Sequence, residues 1–212
     1  MEQIYDKYPD IILQFPCLCG FPLEDHVHQH IAAFFHTNSP EWTFHTWLKF
    51  IPNHAKHWGK LHIPDGDSIQ CVAVVDPLST YGKQDLSFVQ YLFQQDENKD
   101  HPNLAPKMVN AFGYRHLNFI IAITLPASKK FTLQDPELHI LTHITEAKGA
   151  KGNALTKFVL FTQFGFLVIL NISSVQSVVG HVYTTGMKAL GEWYIIYCSL
   201  SLCKTVFHPP EH

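Results

Sequence analysis

The sequence is poor in arginine. Arg115 is the only one, every other fixed cation is a lysine, and the formal net charge is −3 at pH 7 with histidine neutral. Reading of base sequence leans on the planar guanidinium, which pairs bidentately with guanine edges and phosphates. A chain with one arginine and no cationic excess is therefore a poor candidate for a sequence-reading DNA module. The same balance argues against a protein held to nucleic acid or an acidic membrane mainly by charge. Charge of either sign is scarce, 16% against 46% hydrophobic over 212 residues, which excludes disorder and suffices for one sizeable core. Long apolar runs are missing too. The longest, Phe158 to Ile172, falls short of the ~20 residues of a spanning helix and contains Thr162, Gln163 and Gly165. It reads as two buried strands broken near Gly165. The opening MEQIYDKYPD carries acids and no apolar stretch, so no secretory signal is expected, and an intracellular location, nuclear or cytoplasmic, follows by default. Five cysteines without regular spacing imply no complete disulfide framework. One N-x-S match, Asn171-Ile172-Ser173, lies in the apolar run and reads as chance.

What the chain does have is punctuation. Thirteen prolines and eleven glycines divide it into short pieces, which favours strands. Residues 1–60 are the exception and predict a helical lead-in packed on the core. Leu23-Glu24-Asp25 precedes HVHQHIAAFF, where Val27, Ile31, Phe34 and Phe35 recur at helical spacing and the carboxylates suit the positive end of a helix dipole. Ser39-Pro40-Glu41 looks like a second start, with an apolar face of Trp42, Trp47, Leu48 and Ile51 running to Pro52.

Residues 61–212 predict an antiparallel β domain, the two parts forming one folding unit. Pro64-Asp65-Gly66 is a turn, and the candidate strands are Ser68–Val75, Phe88–Phe93, Leu117–Leu125, Leu138–Ala147, Lys157–Phe164, Phe166–Ile172 and Glu192–Cys198. Gly149 and Gly152 bracket a further turn, and Ser173–Val179 reads as a short helical turn. About seven short strands without long helical crossovers indicate a mainly β (α+β) fold, a barrel or sandwich-like domain.

Two constellations bear chemistry. Fifteen histidines include His26 and His30 at i, i+4, a spacing at which one helix can offer two imidazoles to one metal, with Cys17 and Cys19 near enough in sequence to complete a zinc set. C-x-C is tighter than the usual C-x₂₋₄-C knuckle, and the alternative is scattered surface histidines. The second constellation is Glu146-Ala147-Lys148 at a strand end. With Asp135 as partner acid it would hold magnesium, the lysine steadying the attacking water or scissile phosphate of a metal-dependent nuclease. E-x-K is also a common way for a polar strand end to enter a turn. No G-x-S-x-G elbow, P-loop or dinucleotide fingerprint occurs.

The ordered segments CGFPLEDHVHQHIAAFF, NSPEWTFHTWLKFIPNHAKHWG, LHIPDGDSI, RHLNFIIAITLP, SVVGHV and GEWYII resemble an uncharacterised family of mobile-element-associated proteins expanded in mushroom-forming fungi. The resemblance spans most of the chain and carries no catalytic signature. It implies a non-enzymatic, transposon-associated domain without cofactor, making protein or nucleic-acid contacts in a larger assembly. His181 stands where the family often has arginine, and Tyr197 and Cys198 stand where it often has an acid and an arginine.

Overall fold

In the computed structural model the described residues are 2–63, 68–72, 86–150, 152–154, 158–185 and 191–197. The Pro64-Asp65-Gly66 turn, the part of the Ser68–Val75 candidate after Val72, Lys157 and Cys198 lie outside them. The fold is mainly β. Its strands are β1 (Glu2–Tyr5), β2 (Tyr8–Pro22), β3 (His54–His62), β4 (Ser68–Gln70), β5 (Phe88–Asp96), β6 (Met108–Leu125), β7 (Glu137–Lys148), β8 (Val159–Phe161), β9 (Gln163–Asn171), β10 (Val175–Thr185) and β11 (Gly191–Tyr197), with helices α1 (Asp25–Asn38) and α2 (Phe44–Phe50) between β2 and β3.

Among the described residues all pairings between strands are antiparallel, and they form one sheet that does not close into a barrel. The long strand β6 organises it. Along one edge β6 pairs with β5 over Met108–His116 and with β3 over Ile120–Ala122; along the other it pairs with β7 over Arg115–Leu125. β9 extends the sheet beyond β7, β2 and β1 extend it beyond β3, and β10, β11 and β8 continue from β5.

Period-two alternation sends successive β6 side chains to opposite faces. Ile120 and Ala122 enter a core that the curled sheet wraps, with Leu13, Trp58, Leu61, Ile140 and Ile144. Ile121 and Ile123 face the other way and are covered by Val27, Ile31 and Phe35 of α1 and Trp47 of α2. A third cluster, Phe88, Tyr114, Val159, Phe161, Val179 and Ile195, lies under the leaf formed by β10, β11 and β8.

The first sixty residues are less helical than their composition predicts, since residues 2–22 form β1 and β2 and residues 54–60 begin β3. Prolines disguise β2: Pro16 lies in a register shift between Gln14 and Cys17, where no ladder donor is needed. Ser39 and Pro40 end α1 instead of starting α2; the Ser39 N–H closes on the Phe35 carbonyl. The second helix starts at Thr43, whose hydroxyl accepts from the Thr46 N–H at 3.3 Å. The break in the apolar run falls at Thr162, between β8 and β9, and Gly165 lies inside β9. The helical turn expected over Ser173–Val179 shrinks to a 3-10 turn at Ile172–Ser174, capped by the Asn171 side chain, after which β10 begins. Gly149 and Gly152 do take positive φ, at 82° and 106°, as the turn between β7 and β8 requires.

Candidate functional site: a histidine cluster beneath the first helix

The amphipathic pattern of α1 lays its apolar stripe on the sheet and carries His26 and His30 on the flank nearest β7. On β7 Leu141 packs against α1, so His143, two residues on, shares its face and rises beneath the helix. The three imidazoles meet there. Ring centroids are 6.0 Å apart for His26–His30, 6.3 Å for His26–His143 and 5.8 Å for His30–His143.

His143 is buried, 3% exposed, with one face stacked on Phe119 at 4.4 Å. Its Nδ1 lies 3.4 Å from the Asn118 amide nitrogen, and that amide is itself held by the Thr145 hydroxyl. Its Nε2 is buried without a partner, as is Nδ1 of His30. The Glu24 carboxylate lies 3.3 Å from Nδ1 of His26. Burial, with His30 and His26 nearby, lowers the His143 pKa to about 4, and burial beside His26 lowers that of His30. Both rings are therefore neutral at pH 7. A groove of about 730 Å³ opens beside the cluster between α1 and β9, with His30, Phe34, His139 and Ile169 in its wall.

The structure thus keeps half of the anticipated zinc set together. His26 and His30 are neighbours, but Cys17 and Cys19 are not with them. Their sulfurs lie 3.9 Å from each other, and Cys17 packs on the core enclosed by the sheet, across from the face that carries the helices. Among the described residues no group of three or more His, Cys, Asp or Glu is arranged to hold a metal ion as it stands. His143 is the member that sequence reading missed. The available signal was the alternation of LHILTHIT, which places His139, Leu141 and His143 on one face.

The nuclease constellation does not assemble. Asp135 is exposed in the loop before β7, whereas Glu146 lies near the strand's far end, roughly 30 Å away at about 3.3 Å per residue. Glu146 turns instead to its cross-strand neighbour Arg115, at 3.7 Å. Lys148 is exposed. Arg115 itself is an internal residue, its side chain 10% exposed and its guanidinium 4.6 Å from the centre of the Tyr91 ring.

No protein-family model, curated protein or solved structure matches the chain. Among the described residues no helix is long and apolar enough to cross a membrane.

Among the described residues an exposed apolar surface lies elsewhere, on the β10–β11–β8 leaf. Register places Val182, Tyr194 and Leu160 in one cross-strand row, and Gly180 and Ile196 in the next. Alternation turns these outward, while Val179, Ile195, Val159 and Phe161 turn inward. Val182, Leu160 and Ile196 are 45%, 45% and 46% exposed, and Phe158, just before β8, is 88% exposed. His181 faces inward, its ring 5.0 Å from those of Phe88 and Trp193.

Proposed function

We propose that this chain is a non-enzymatic domain of mobile-element origin whose role is contact with another protein in a larger intracellular assembly, nuclear or cytoplasmic. The observation that supports it is the outward face of the leaf. Two adjacent cross-strand rows present Val182, Leu160 and Ile196 to solvent, with Tyr194 half-buried among them, its hydroxyl donating to Glu192 at their border, and Phe158 beside them. Contiguous exposed apolar surface of this kind marks interaction sites in folded proteins. The mobile-element ancestry rests on the segments quoted above.

A protein partner is favoured over nucleic acid by charge. The one arginine is committed to Glu146 and Tyr91 in the interior, and the net charge is −3. A nucleic-acid surface would need cations where the leaf has aliphatic side chains. The magnesium-nuclease alternative loses its support in the separation of Asp135 from Glu146.

The test is a charged substitution on each of two strands, Val182→Glu with Leu160→Glu. Proteins that co-purify with the wild-type chain are expected to be lost by this variant and kept by Ile4→Glu, a control at an exposed apolar residue on β1 (57% exposed). Labelled single- and double-stranded DNA is expected not to bind at physiological salt. Tight, salt-sensitive DNA binding would reject the reading.

A further inference from the structure

We infer that His26, His30 and His143 form a binding site for one divalent transition metal of the zinc type, clamping α1 to β7. Three observations carry it. The first is spacing. Zinc–nitrogen bonds of ~2.0–2.1 Å put each ring centre roughly 3.2 Å from the ion, so three ligating imidazoles have centroids about 5.3 Å apart. The observed triangle of 5.8, 6.0 and 6.3 Å is wider by only about an ångström.

The second is the orphaned donors. Nε2 of His143 sits in a ring 3% exposed and finds no partner, and Nδ1 of His30 is buried and unpartnered beside it. A buried polar atom left so is costly unless something satisfies it. The third is outer support. Metal-bound histidines usually have their second nitrogen held by a carboxylate, carbonyl or amide. Asn118 stands at Nδ1 of His143, which leaves its Nε2 for an ion, and the Glu24 carboxylate lies beside His26. Which amide atom of Asn118 faces the ring is an assignment, and with its oxygen there the ring donates from Nδ1 and Nε2 carries a lone pair.

The donors do not yet converge. Convergence needs the rings of His26 and His30 to turn about χ2, a broad torsion without a steep barrier. His143 is held by Phe119 and Asn118, so the turning falls to the two helix residues. The neutral state of His30 and His143 is the ligating form. A fourth position stays open to water. Carboxylate-preferring magnesium and calcium are excluded by the nitrogen donor set.

The test titrates cobalt(II) and zinc into the untagged, metal-free chain. We expect one tight cobalt per chain, an absorption spectrum of a tetrahedral nitrogen-ligated ion without thiolate charge transfer, and a zinc-dependent rise in melting temperature. His26→Ala and His30→Ala, at positions exposed enough to preserve the fold, should each weaken binding at least about tenfold, and Asn118→Ala about 10–100-fold. Cys17→Ser with Cys19→Ser should leave it unchanged. Absence of one-to-one binding, binding indifferent to both histidine variants, or binding abolished by the cysteine pair would each overturn the site.

Discussion

Arg115 shows how one residue can carry several constraints. Its guanidinium sits over Tyr91 and against Glu146, while Nε and Nη1 remain buried and unpartnered. Glu146 is therefore its main electrostatic partner, and Glu146→Ala should lower stability by about 1–3 kcal/mol, the range for a charged group left short of a partner. Chemical denaturation measures this, and an unchanged midpoint would show the pair to be incidental. Gly113 is a second such residue. A Cβ there would collide with ring atoms of Tyr91, which is itself 3% exposed. Gly113→Ala should cost about 1–3 kcal/mol or more by overpacking. Neither role was legible beforehand. The sequence marks Glu146 and Lys148 as a possible catalytic pair, but only the strand register reveals that Glu146 faces the arginine.

At the scale of elements, α1 is held by its apolar stripe and its histidines. His28 reaches the Ile51 carbonyl at 3.0 Å and His36 the Trp42 carbonyl at 2.8 Å, which fixes α1 against α2 and the loop between them. Ile31, fully buried on the stripe, should cost about 2–5 kcal/mol as Ile31→Ala. The cluster below has a pH signature. His30, His57, His139 and His143 all have pKa values lowered by burial, that of His143 to about 4. Below the ordinary histidine pKa of ~6.5 the unfolded chain takes up protons that the folded one refuses, so stability falls as pH drops from about 6.5 towards 4. Glu24 and Asp25 flank the cluster from the start of α1, Asn118 and Thr145 from the sheet, and the Lys7–Glu137 pair stands near His139. Melting temperatures across this range check the claim, and His143→Asn should flatten the slope. The helices themselves were legible, because Val27, Ile31 and Phe35 keep helical spacing and Pro52 stops the second. β2, β3 and β10 were not. Proline in β2 falls at a bulge, β3 mixes five charged or imidazole residues with its buried Ala55, Trp58 and Leu61, and β10 starts directly after a capped turn.

At the scale of the molecule, the mainly β character could be read from the spacing of apolar runs and turn residues, but the three-way pairing of β6 could not. That pairing depends on which strands share an edge, a long-range choice that period-two patterning does not encode. The same gap hid the leaf. Val182, Tyr194, Leu160 and Ile196 belong to strands separated in sequence, and each alone looks like ordinary core; only their register makes them one surface. The measurement that tests the central claim most directly compares the proteins that co-purify with the wild-type chain and with Val182→Glu, Leu160→Glu, after confirming equal melting temperatures. The account predicts a specific set held by the wild type and lost by the leaf variant. An unchanged set, or none enriched by the wild type, would contradict it.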